Sequence, residues 1–505
     1  MQENELKRLK QLEKEIKRIA EEEGLQTTEI IFEIAPASKV IEGMAYNFPI
    51  NFSHWSFGRD YEKIRTIYEH TGGGIPYEQV WNFDTPKAFL AESNPFALQA
   101  LTVAHVYAHV DFFLSNCYCK NSRLSVDIAS QARNAAARFR KYEERYGQEV
   151  EKVIDAGFAI QWHQHPDFFR KEPEEEKVRE YLREKLRNEL TQLKIPSHLK
   201  KPDPKRIAVL EKELMELSER TPPEPTYDIL NYIIQHSSKL KPWARDVLSV
   251  IRSQARALAP NGATKLLNEG WATYWHIRIM NRLLKEKLIT SEEHGVVNIF
   301  NAKVTRESDN SFNWYRIGVA FFEHVKERWD KGRFGRDYEE CEDYFKKIHW
   351  DTGANKGIKK IFEVRSAYSD RMAVEDLFSD EFIKQQQIYI YGQIKDADGS
   401  VFREKVADDP EIIRTILKRL FTFHNLPLVT VEDGNYDTHQ HLYLKHHDTG
   451  YELDTMHRDK TLEKIFYLWG KKVYLETQHE GKPILFSLEG DKIKTSNNIR
   501  KKQPL

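Results

Sequence analysis

The chain has 505 residues, of which 40% are hydrophobic and 12% aromatic, a composition that can build a large core and excludes disorder over most of its length. Lys plus Arg total 77 and Asp plus Glu 78, so the formal net charge is -1, which argues against a nucleic-acid-binding protein. Three cysteines, Cys117, Cys119 and Cys341, are too few for a disulfide framework and fit a reducing compartment.

The first segment, MQENELKRLKQLEKEIKRIAEEEG, has no apolar stretch of the signal-peptide kind. Leu6, Leu9, Leu12, Ile16 and Ile19 form one stripe, which predicts a charged amphipathic helix within residues 1–27. Residues 28–60 carry short strand-like and turn-rich pieces, TEIIFEIAP and FSHWSFG among them. Helical patterns then dominate to residue 383. Ser93-Asn94-Pro95 is a start signal for a helix that continues through VAHVYAHVDFF, residues 103–113. The apolar run from Phe96 to Leu114 is broken by Gln99, His105, His109 and Asp111. Polar groups are costly in hydrocarbon, so it reads as a buried helix with no membrane span, in a cytoplasmic protein.

RLSVDIASQARNAAARFRKYEERYG reads as a helix ending at Gly147, and EVEKVIDAGFAIQWHQHPD as the next. Residues 170–226 are charge-dense and bounded by proline, which predicts a charged helical insertion. LKPWARDVLSVIRSQARALAP and KLLNEGWATYWHIRIMNRLL resume the helical core. Residues 28–383 are therefore expected to be one mainly helical domain. From 384 to 505 the pattern alternates: QQIYIYGQI, PLVTVED, QHLYLKH, KVYLETQ and PILFSL read as strands, EIIRTILKRLFTFHN and KTLEKIFYLWG as helices. The expected fold class is α+β, a large helical N-terminal domain followed by a smaller ferredoxin-like C-terminal domain.

His105 and His109, four residues apart on a helix, leave one face together and can offer two imidazole ligands to a metal. The alternative is a hydrogen-bonded pair in a packed helix. A catalytic zinc needs a third protein ligand and an open position, and Glu269 in LLNEGWATYWH is the candidate. The alternative for Glu269 is a first-turn acid favoured by the helix dipole. His276 should lie about 10 Å further along that helix, on the same face, where it can hydrogen-bond substrate or a ligand. His54, among aromatics in a loop, is a candidate fourth ligand or general base. Asp111, about 200° around the helix from His109, should face away and pair with an arginine or cap a helix. Trp55 and Trp271 are expected to be packing residues, and the histidines at 439, 441, 446 and 447 solvated sheet and turn residues.

VAHVYAHVDFF resembles the zinc helix of gluzincin aminopeptidases, and LNEGWATYW the helix bearing their third ligand. That resemblance implies His105, His109 and Glu269 as ligands of zinc or another divalent transition metal. It departs at Val106, where those enzymes carry the glutamate that acts as base, and in the long gap from His109 to Glu269. Across residues 30–480, FSHWSFGR, AHVYAHVDFFLSN, YEERYGQEVEKVIDA, KPWARDVLSVIR, TKLLNEGWATYWH and VKERWD, then LYLKHHDTGYELD and YLWGKKVYLET, resemble the stage V sporulation protein R (SpoVR) family in order. That resemblance implies an association with sporulation and spore cortex formation. Together with the metal-site motif, the expectation is a metal-binding protein that, if catalytic, is a metal-dependent hydrolase acting on an amide or peptidoglycan-related bond, with His54 or His276 as base. The alternative is a non-catalytic regulatory or scaffold protein with a degenerate site, binding a protein partner.

Overall fold

The computed structural model describes residues 3–47, 49–71, 78–124, 127–165, 167, 169, 174–194, 203–307, 312–395, 401–423, 426–447, 452–479, 481–490 and 492–496. The chain divides into two compact units: residues 1–136 with 257–424, and residues 137–256 with 425–505.

The first unit is mainly helical. Its N-terminal helix, Glu3–Glu22, buries Leu9, Leu12, Ile16, Ile19 and Ala20, four of which belong to the stripe read from the sequence. A small mixed sheet follows in the order β1-β3-β2. Strand β1 (Ile31–Ala35) runs parallel to β3 (Lys87–Ala91), and β2 (Glu78–Trp81) lies antiparallel on the outer side of β3. The helix Phe96–Ser115, here called the histidine helix, begins after Pro95, whose φ of -64° and ψ of 159° suit a helix entry. It is apolar all round, and accordingly every residue from Ala97 to Phe113 is buried.

The histidine helix packs against Lys265–Lys285, here called the glutamate helix, which in turn packs against Trp314–Asp330. The second contact is close because two glycines meet: a Cβ on Gly270 would lie 2.5 Å from the Cα of Gly318. The glutamate helix is held at its N-terminus by Asp370, whose carboxylate accepts the backbone N–H groups of Leu266 at 2.8 Å and Leu267 at 3.0 Å. Trp271, Tyr274 and Trp275 are fully buried in the same core, so Trp271 is the packing residue expected of it. Trp55 is not: it is 66% exposed.

The second unit carries a five-stranded sheet in the order β10-β9-β8-β7-β6. Strands β6 (Val429–Tyr436) and β7 (His441–His446) are antiparallel, and the helix Thr455–Trp469 carries the chain to β8 (Val473–His479), parallel to β7. Strands β9 (Lys482–Glu489) and β10 (Lys492–Ser496) complete it as antiparallel neighbours. The charged insertion forms two helices, Glu175–Lys194 and Pro204–Glu219, packed on each other with Leu190, Leu210 and Leu217 buried.

The α+β class and the large helical region agree with expectation, but the ferredoxin-like arrangement does not form. The expected first strand is β4 (Ile390–Lys395), which pairs with β5 (Val401–Ala407) as a separate two-stranded sheet. The helix Pro410–Phe423 buries Ile413, Leu417 and Phe421 in the core of the first unit. The chain divides by contact at 424/425 and not at 384. Local alternation identifies a strand but not its partner. His446 also differs from expectation: it is buried, with Nδ1 2.8 Å from the Thr477 hydroxyl. No described helix is long and apolar enough to cross a membrane.

Candidate metal centre

Three elements of the first unit bring four donor side chains together. His105 and His109 leave the histidine helix on one face, their ring centroids 4.5 Å apart and their planes 89° to each other. Glu269, from the glutamate helix, sets Oε2 3.8 Å from Nε2 of His105 and 3.7 Å from Nε2 of His109. Glu78, the first residue of β2, sets Oε1 3.6 Å from Nε2 of His105. The donor atoms of Glu78, His105 and His109 all lie within 4.8 Å of one another, a spacing suited to a shared cation. Donors about 2.0–2.2 Å from a common tetrahedral centre stand about 3.3–3.6 Å apart, so small side-chain adjustments close this cage.

The histidines are oriented from behind. Nδ1 of His109 lies 2.9 Å from Oδ1 of Asn268, an oxygen that only accepts, so His109 carries its proton on Nδ1 and leaves Nε2 bare. Nδ1 of His105 lies 2.8 Å from Nδ1 of His276, whose own Nε2 lies 2.9 Å from Oδ1 of Asn301. His276 thus reaches back to His105 across the helix interface, and both of its ring nitrogens are engaged.

The electrostatics describe a site short of positive charge. Oε2 of Glu269 is buried and accepts no hydrogen bond from the described residues. Such an orphaned buried acceptor costs free energy unless a cation or proton meets it. Burial alone would depress His105, but Glu269 and Glu78 outweigh it and hold its pKa above the ordinary value. A proton on His105 Nε2 would thus sit where a metal ion fits. Burial, and then the charge of His105, push His109 down to about 4. Burial pushes Glu78 up. Glu269 is also penalised by burial, but the two histidines pull it below the ordinary carboxylate range. Burial holds His276 well below an ordinary histidine. The charge of Glu269, and then burial, raises the Tyr315 hydroxyl. The donor set of two imidazoles and two carboxylates, with the orphaned oxygen among them, fits a divalent transition metal.

Of the residues singled out from the sequence, His105, His109, Glu269 and His276 meet here. His54 is buried in the loop before the helix Trp55–Thr71, with Nδ1 2.7 Å from the Ser56 hydroxyl and its ring against Phe52, Trp55 and Phe57. Val106 is fully buried. Asp111 pairs with Arg365, as its position around the helix predicts. Glu78 was not legible: a single glutamate in YEQVW has no spacing relation to the histidines. Asn268 sits beside Glu269 in the quoted motif, yet its role as a histidine partner needs the helix crossing. Asn301 and Tyr315 carry no signal of their own.

The family model described as SpoVR like protein matches residues 3–425. The Escherichia coli (strain K12) protein YcgB is 26% identical over 482 residues, covering 92% of this chain and 91% of that protein. No solved structure matches the chain.

Proposed function

The chain belongs to the SpoVR family, and from that premise and the geometry of its buried donor cluster we propose that it is a metal-dependent hydrolase of an amide bond, in a peptide or a peptidoglycan-related substrate. His105, His109 and Glu269 hold one divalent transition metal, zinc in the first instance. The observation that carries this reading is the orphaned Oε2 of Glu269 beside two imidazole Nε2 atoms, with Glu78 alongside. The family's link with sporulation and the spore cortex makes a peptidoglycan-related bond the natural first substrate to try.

A bound divalent cation supplies a water of lowered pKa and polarises a carbonyl oxygen. The chain's own residues do the rest. Glu78 takes the base role that Val106 cannot fill, because its carboxylate faces the same donors from the opposite element and burial raises its proton affinity. His276, with both ring nitrogens engaged, serves better as an orienting group than as a base.

The test is metal content. Untagged wild type, His105→Ala and Glu269→Gln are purified and their metals counted by mass spectrometry. Near-stoichiometric metal in the wild type, lost in both folded variants, supports the centre and justifies an amide-hydrolysis screen. The buried Val106 favours a second reading, a regulatory or scaffold protein with a degenerate site. Stoichiometric metal without turnover of any amide or muropeptide substrate would favour it.

A further inference from the structure

We propose that Asn301 and His276 form a strut that sets the proton polarity of His105, so that its Nε2 presents a lone pair to the metal. Both are positioning residues, and the inference rests on the metal-centre reading above. The strut joins three helices: Asn301 on Ser291–Val304, His276 on the glutamate helix and His105 on the histidine helix.

The bond between Asn301 Oδ1 and His276 Nε2 is 2.9 Å, and a carbonyl oxygen only accepts, so the proton lies on His276 Nε2. His276 is buried, and its described hydrogen-bond partners are an amide and an imidazole, with no carboxylate among them. It is therefore a neutral ring with one proton, and its Nδ1 is an acceptor. The 2.8 Å bond between the two Nδ1 atoms then needs its proton from His105. The remaining nitrogen of His105, Nε2, faces Glu78 and Glu269 and is left to bind a cation.

The polarity is a real choice. Were Asn301 to present its NH2 group, His276 would accept at Nε2 and donate from Nδ1, and the Nδ1 of His105 would become the acceptor. A neutral His105 would then point an N–H at the two carboxylates and could not ligate. The orientation of one amide thus separates a ligating histidine from a non-ligating one. Groups that orient a metal-bound imidazole in this way are worth about 10–100-fold in metal affinity.

The experiment titrates metal-free full-length protein with Co2+, followed by visible absorption, in wild type, Asn301→Leu, His276→Leu and His276→Asn. The Oδ1 of an asparagine at 276 stands near the place of the imidazole Nδ1, so this variant keeps an acceptor for His105. Both leucine variants are expected to weaken Co2+ binding by about tenfold or more, and His276→Asn to bind within about threefold of wild type. Leucine variants that bind like wild type, or an asparagine variant as weak as His276→Leu, would overturn the strut. If wild type takes up no Co2+, the metal reading fails by itself. The strut is then decided by nitrogen NMR of [15N]histidine-labelled wild type, where His276 should carry its proton on Nε2 and none on Nδ1. The opposite tautomer would overturn it.

Discussion

Asp111 and Arg365 are joined by a 2.7 Å ion pair in the core, on the part of the histidine helix turned away from His105 and His109. The same carboxylate accepts the backbone N–H of Gln26 and the indole N–H of Trp271, each at 2.7 Å. It therefore ties the segment after the N-terminal helix, the glutamate helix and the helix Gly357–Ala367 to one point. Removing one partner leaves the other buried without its counter-charge, which costs about 3–5 kcal/mol. Asp111→Ala and Arg365→Met are each expected to lower the unfolding free energy, read from denaturant unfolding, by that order. The double variant should cost less than the sum, because neither charge is then stranded. Single variants within about 1 kcal/mol of wild type would show that the pair does not organise this core.

Metal should stabilise the protein as well as occupy it. A ligand that binds only the folded state adds about 2.7 kcal/mol at a hundred times its dissociation constant. Zn2+ should thus raise the thermal midpoint of wild type, and should not do so in His109→Ala or Glu269→Gln. Glu78→Gln separates two roles: retained metal marks Glu78 as the base, and lost metal marks it as a fourth ligand. The same titration should weaken as pH falls, because a proton on His105, whose pKa is raised, competes with the metal. Affinity that is flat from pH 7.5 to 5.5 would contradict an imidazole-ligated centre.

His324 provides a pH effect away from the cluster of Glu78, His105, His109 and Glu269. It lies on the helix Trp314–Asp330 with Nε2 3.0 Å from the Ser379 hydroxyl, and burial pushes its pKa down to about 4. In the unfolded chain the ring takes a proton below about 6.5, whereas the folded chain resists it until about 4. The unfolded state therefore binds more protons in that window, and stability falls as pH drops from about 6.5 to about 4. His324→Gln should remove this part of the acid loss. Denaturant midpoints of wild type and variant at pH 7 and pH 5 check it, and an identical acid loss in the two proteins would rule it out.

The glutamate helix depends on the contact between Gly270 and Gly318. A methyl group on Gly270 would stand 2.5 Å from the backbone of Gly318, and neither helix backbone can yield cheaply. Gly270→Ala should cost about 1–3 kcal/mol by overpacking. It should also weaken metal binding, because Glu269 is the adjacent residue and shifts with the helix. Alanine at Gly295, inside the helix Ser291–Val304 with open space around it, is the control: it should leave metal binding unchanged and raise stability by about 0.5–1 kcal/mol through helix propensity.

The sequence by itself determined what depends on neighbours along the chain. Pro95 started the histidine helix, the four-residue spacing put His105 and His109 on one face, and the helical turn between His109 and Asp111 sent the carboxylate elsewhere, where it met an arginine. Tertiary structure decided everything that needs two elements to cross. Glu78 joins the histidines because the edge strand β2 lies beside the histidine helix, and a lone glutamate in a strand has no periodicity to announce it. His276 bonds His105 because two helices cross there, although along its own helix it stands two turns from Glu269. QQIYIYGQI and EIIRTILKRLF read correctly as a strand and a helix, yet they joined the first unit and not a ferredoxin-like sheet. The physical reason is common to all three. Backbone torsions and side-chain periodicity act over a few residues, while the partner of a buried face is set by burial and hydrogen-bond satisfaction across the whole core.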